Sequence, residues 1–307
     1  MVTKKMNEKL LKHFKESGRF TYAGLHAPYF KTLPDDITEL GNLVCAQIIH
    51  RITLKQGNSG ANADLRYGDM TRYPWHRMRC EDDVFLTASS MTAELFRMDG
   101  RGFTSDRAVE NKLVLCCRYV SVLMSAILKA KGYAARSRAG YAPYIVNGIS
   151  MDHWINQYYD EAQGKWITID ADGFFKKGEL PFDSQYNIPQ EQFDFAGPTW
   201  LDIRQGKKDG SKFIYADGLG TNSLKALSLY VFYDLNALMN QELTFSFAPL
   251  WWSHFDKMTE EELAKIDLVA ELLKEPDENF DELHKIWSED KFWRLFCSPL
   301  VGESDFI

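Results

Sequence analysis

Residues 113–172 constrain the fold of this chain more than any other stretch, because the spacing of their apolar positions changes character once and does not change back. From about Cys116 to Lys131, Val120, Leu123, Met124, Ile127 and Leu128 recur at helical spacing, and Gly132 supplies the stop. After it, residues 133–146, 154–159 and 165–169 are rich in aromatic and β-branched side chains, which predicts three strands. Only a short polar turn, residues 160–164, separates the last two, so they form a hairpin. Hairpin pairing sets the start of one strand opposite the end of the next, which makes His153 and Asp170 near neighbours. A slip of one residue turns them to opposite faces. Cys117 opens the helix, His153 opens a strand and Asp170 ends its partner. That is the layout of a nucleophile, a base and an orienting carboxylate.

The flanks read as helical. Residues 4–17 form an amphipathic helix ending near Gly18, and Asp36 with Glu39 makes a capping box after Pro34. Leu40, Leu43, Val44, Ile48 and Ile52 give that second helix its buried stripe. Residues 57–68 read as a polar surface loop, and residues 81–98 as a third helix closed by an Asp99-Gly100-Arg101-Gly102 turn. Downstream, residues 206–210 are a solvated turn. Residues 217–220 resemble a phosphate loop but lack its third glycine and a following Lys-Thr. Helical patterns return at 223–240, at 259–274 behind a Thr259/Glu262 capping box, and at 279–296. No repeat or Pro/Ser-rich linker divides the chain. It therefore reads as one α+β unit over 1–307, with a mostly helical part (1–105), a core (106–200) and a second helical part (201–307) packed on the core.

Composition narrows the function classes. A net charge of -7 argues against a nucleic-acid partner, since phosphate binding needs clustered Lys and Arg. No signal-peptide core and no apolar run of about 18 residues occurs, which predicts a cytoplasmic protein without a membrane partner. The five cysteines form no C-x-x-C pair. His76 and Cys80 stand four apart, but two ligands do not make a site, so no metal and no cofactor is expected.

A thiolate is favoured at a helix N-terminus beside a histidine, and Cys117 is placed for both. Cys116 reads as a small core residue, because adjacent helical positions point about 100° apart. Among the carboxylates, Asp152 points away from His153 on an extended chain, and Asp172 before Gly173 looks like turn chemistry, so Asp170 ranks ahead of Asp172, which stays the competing carboxylate. Arg136 and Arg138 read as strand-edge charges.

These residues resemble the transglutaminase-like superfamily, whose core is a circularly permuted relative of the papain fold. The likeness is carried by Cys117, Gly132 through Ala135-Arg136, Gly140-Tyr141, His153, and Trp166 through Asp170, about 60 residues in all, and more loosely by residues 234–242. The interval of 19 residues from Cys117 to Arg136 matches Cys117 and not Cys116 as the nucleophile. Leu115 stands where the family often has glycine, and Trp154 directly follows the histidine where an aromatic usually stands two residues on. The resemblance implies a Cys117–His153–Asp170 triad, an acyl-enzyme, and an oxyanion held by the Cys117 N–H and one upstream side chain, with Trp75 the candidate. Tyr141, Tyr144 and Trp154, with Trp251 and Trp252, are the aromatics that would line a cleft for a peptide, protein or small amide. Hydrolysis of peptide or amide bonds is the leading expectation. A transglutaminase-type acyltransferase, cross-linking or aminating glutamine side chains, and a catalytically silent binding module are the alternatives.

Overall fold

A computed structural model describes residues 7–54, 67–172, 180–215 and 224–294. The loop expected at 57–68 and the turn at 217–220 fall almost wholly outside these residues. The elements run α1 (Glu8–Lys15), α2 (Ala27–Phe30), α3 (Ile37–Cys45), β1 (Ile48–His50), α4 (Ala88–Met98), β2 (Leu113–Leu115) and α5 (Cys117–Ala130). There follow β3 (Ala135–Val146), β4 (Ile149–Asp160), β5 (Lys165–Ile169), β6 (Asp194–Phe195), α6 (Ala196–Arg204), β7 (Phe213–Ile214), α7 (Leu224–Leu238), α8 (Glu260–Leu272) and α9 (Phe280–Glu289). The architecture is α+β, with a five-stranded sheet ordered β5-β4-β3-β6 and β7 on β4. Every pairing in it is antiparallel except that of β4 with β7.

The apolar run after Cys117 is buried on all sides from Cys117 to Lys129 because α5 lies between the sheet and the N-terminal helices. Its small polar residues bind the sheet. Ser121 donates to Ser137 (2.8 Å), and Asn156 Nδ2 donates to the Ser121 carbonyl (2.9 Å) and to Ser125 (2.8 Å). Strand alternation sorts the rest: Ala139 pairs with Trp154 and Tyr141 with Asp152 on the face shared with α5, while Gly140 pairs with His153 on the other. Gly140 is glycine for a reason of space, since a Cβ there would stand 2.4 Å from the Asp194 carbonyl oxygen of β6.

Three sequence expectations need correction. The third helix starts at Ala88 and not at residue 81, because Glu81 and Asp82 are occupied elsewhere. Glu81 exchanges bonds with Val114, and Asp82 accepts the Cys116 N–H, so this segment lies along β2 and Thr87 caps the helix. Ile48 belongs to β1, a three-residue strand parallel to β2, and Ile52 lies past that strand, so neither is in the stripe of α3, which ends at Cys45.

Arg136 and Arg138 are not edge charges: both are buried. Arg136 lies 4.0 Å over the Trp166 ring and pairs with Asp277, tying the segment between α8 and α9 to the sheet. Arg138 forms a bidentate pair with Asp234 of α7 (2.8 Å twice), and Asp234 also accepts the Ala139 N–H (3.0 Å). Asp234→Ala leaves a guanidinium buried without its partner and should cost about 3–5 kcal/mol of stability. Urea unfolding measures it, and a loss below about 1 kcal/mol would mean that solvent already screens the pair.

Candidate active site

β2 feeds straight through Cys116 into α5, so Cys117 is the first residue of a 14-residue helix. Cys116 takes the N-cap position without a side-chain capping bond, and the N–H groups of Cys117 and Arg118 head the helix with no intrahelical acceptor. The helix start therefore faces the site with unspent donors and the positive end of its dipole. Arg118, directly after the nucleophile position, is wholly buried. It donates to the carbonyls of Glu242 and Leu86 and packs between the Phe20 and Tyr119 rings, which fixes where the helix begins.

Cys117 is only 5% exposed. Burial pushes its thiol above the ordinary value, and the Asp172 and Asp152 carboxylates push the same way. The Cys116 thiol and the backbone N–H of Trp154, next in chain to His153, pull against them. The net direction is upward, so the resting group is a thiol, which corrects the expectation of a depressed value. Burial drives Cys116 higher still, and Cys80 is pushed up to about 12 by burial and Asp82.

His153 and Asp170 meet on one face of the hairpin. Asn156 pairs with Ile169, so residues two apart beyond the ladder, 153 and 155 on one strand and 170 and 172 on the other, turn to the same side. His153 Nε2 lies 2.7 Å from Asp170 Oδ2, and Tyr144 donates its hydroxyl to that same oxygen at 2.8 Å. The other oxygen, Oδ1, accepts the Asp172 N–H (2.9 Å). Gln185 brackets the Asp170 backbone, accepting its N–H at 2.7 Å and donating to its carbonyl at 2.9 Å. Burial alone would lower the His153 pKa. The Asp170 charge and hydrogen bond, helped by Asp172 and Asp152, outweigh it and hold the imidazole above its ordinary value. With Nε2 committed to Asp170, Nδ1 is the nitrogen left to exchange a proton.

A second histidine stands at the site. His50 Nε2 is 3.4 Å from Asp172 Oδ2, and a ring nitrogen of His50, a carboxylate oxygen of Asp172 and the Cys117 sulfur all lie within 4.8 Å of one another. The sequence reading missed His50, which closes a strand too short to show a period, and it ranked Asp172 behind Asp170 as turn chemistry. The one available signal was a histidine directly after the apolar pair Ile48-Ile49.

Trp75 does not serve as an oxyanion donor beside this buried thiol: it sits on a single 3-10 turn and is 86% exposed. Of the cleft candidates, Tyr144 is in the site. Tyr141 and Trp154 are enclosed, packed against Tyr230 and Tyr233 respectively, because they point to the opposite face from His153. Trp251 stacks on Phe292, and Trp252 donates to the Lys225 carbonyl, so both hold the C-terminal segment in place. A cleft of about 420 Å³ borders the start of α5, lined in part by Arg51, Cys80, Asp82, Tyr119 and Phe245.

Comparison with protein-family models, with curated proteins and with solved structures gives no match. Among the described residues no helix is long and apolar enough to cross a membrane.

Proposed function

We propose that the chain is a thiol-dependent hydrolase of peptide or amide bonds, with a transglutaminase-like, permuted papain-like core and a Cys117–His153–Asp170 triad. The observation that carries this reading is the 2.7 Å His153–Asp170 bond on the strand whose next N–H faces the Cys117 sulfur at an uncapped helix start. A buried histidine–carboxylate pair, one residue along the strand from a backbone N–H that meets a buried thiol at a helix start, supplies the groups that acyl-transfer catalysis uses.

The steps follow from the resting state. His153 Nδ1 takes the Cys117 proton as sulfur attacks the carbonyl carbon, and the carbonyl electrons move to oxygen, near the Cys117 N–H. Collapse of the adduct breaks the C–N bond, and the imidazolium gives its proton to the departing amine. Water, deprotonated by His153, then cleaves the thioester and restores the thiol. Asp170 keeps the imidazole in one tautomer throughout and stabilises its charged form.

Reaction with a p-nitrophenyl ester tests this. The expected result is a burst of p-nitrophenol with an acyl mass on Cys117. The rate should fall as pH drops through a value above about 6.5, because His153 is held protonated to higher pH than a free histidine. An adduct on another cysteine, or none, refutes the reading. A glutamine peptide then separates hydrolysis (ammonia release alone) from transfer (incorporation of an added amine).

A further inference from the structure

We propose that His50 is a catalytic residue of this site. Its Nε2–H is the side-chain donor that, with the backbone N–H of Cys117, holds the carbonyl oxygen as it becomes negative. The inference rests on the acyl-transfer reading above and supplies the donor that Trp75 does not.

Position comes first. β1 runs parallel to β2 with His50 opposite Leu115, and the Arg51 N–H donates to the Leu115 carbonyl at 2.9 Å. Two residues past Leu115 stands Cys117. Two parallel strands that end together thus deliver the imidazole and the thiol to the same point, with the backbone ladder fixing both.

Distance agrees. The oxygen of a tetrahedral adduct sits on the carbon bonded to sulfur, and a donor about 3 Å from that oxygen lies within about 5 Å of the sulfur itself. A ring nitrogen of His50 is within 4.8 Å of the Cys117 sulfur, and Nε2 is the one turned to Asp172, the third member of the cluster.

The tautomer decides between roles. The Ile52 backbone N–H donates to His50 Nδ1 at 3.3 Å, and a peptide N–H can only meet a lone pair. The neutral ring therefore carries its proton on Nε2, the nitrogen facing Cys117 and Asp172. Asp172 Oδ2 lies 3.4 Å from Nε2, close enough for its charge to favour a proton on that nitrogen although the pair is not a hydrogen bond. A general base needs a lone pair at Nε2 and is excluded by this arrangement, which leaves that role to His153. Metal ligation by His50, Cys117 and Asp172 meets the same obstacle. A metal at Nε2 would move the proton to Nδ1, against the Ile52 N–H.

The test exploits two reactions of one thiol. Ester acylation builds an oxyanion; alkylation by iodoacetamide displaces iodide at carbon and builds none. His50→Leu should lower the acylation rate by roughly 10²–10³, with the alkylation rate of Cys117 within about threefold of wild type. His50→Gln, which restores an N–H donor, should recover at least about tenfold of the loss. Where His50→Leu does not fold, His50→Met set against His50→Gln carries the same comparison. Parallel losses in both reactions would show that His50 acts on thiol ionisation or on the fold, and overturn the assignment. So would unchanged acylation, or a stoichiometric divalent metal in the wild-type protein that is lost in His50→Leu. Absence of any wild-type Cys117 adduct overturns the hydrolase reading and the donor with it; an adduct insensitive to His50 overturns the donor alone.

Discussion

Cys117→Ala should abolish turnover, lowering kcat by a factor on the order of 10⁴–10⁶, because the acyl group then has no sulfur to form on. The contrast with its neighbour gives the result its meaning. Both cysteines are buried, and either residue type could attack a carbonyl. Only Cys117 faces the Trp154 N–H beside His153, whereas the Cys116 backbone is held by Asp82 and burial keeps its thiol well above the ordinary range. Cys116→Ser keeps a short donor beside the Cys117 sulfur and should cost no more than about tenfold. Steady-state hydrolysis with intact-mass analysis checks both. Should Cys116→Ser be the inactive variant, the nucleophile has been placed one residue too late. The thiol form at rest adds a kinetic signature: Cys117 alkylation should keep rising with pH above neutrality, where a preformed thiolate would already have levelled off.

The site was legible where its geometry is local. The hairpin was readable from two β-rich runs and a five-residue turn, and with it the meeting of His153 and Asp170, since pairing register follows from turn length. The start of α5 was readable from the apolar spacing. What escaped was long-range. His50 reaches Cys117 only through a parallel pairing of two three-residue strands 65 positions apart (Ile48 opposite Leu113), and nothing local marks either strand. Arg136 and Arg138 looked solvent-facing because a lone arginine on a strand carries no sign of its partner. Asp277 and Asp234 lie about 100 residues or more downstream, on segments that cover the sheet. Trp75 failed for the opposite reason: a side chain suited to donate says nothing about whether it is buried. The Glu81–Asp82 segment shows the same competition. Its helical pattern is genuine, but bonds to β2 and to the N-cap residue of α5 stop it after one turn, closed by Val84 and Phe85 donating to the Glu81 carbonyl.

Asp170→Asn should reduce kcat by a factor on the order of 10³–10⁴ while leaving the fold intact, and the hydrogen bonds around the carboxylate say why. The Asp172 backbone N–H donates to Oδ1 and cannot turn away, so the asparagine oxygen stays there and its NH₂ faces His153 and Tyr144. Tyr144 can rotate its hydroxyl and accept. His153 can accept only by carrying its proton on Nδ1, the nitrogen that must take the thiol's proton, so the base is lost although every heavy atom keeps its place. The electrostatics move the same way. With the charge gone, burial of His153 acts with less opposition and its pKa drops, shifting the acid limb of any residual activity to lower pH. Stability should respond with the matching sign. A histidine raised above its unfolded value of about 6.5 contributes stability below that pH and loses the contribution as pH rises through the folded value. Wild type should therefore gain on Asp170→Asn in mild acid and lose that margin toward alkaline pH. A variant that keeps wild-type kcat, or one whose acid limb moves upward, would show that Asp170 neither orients nor charges the imidazole.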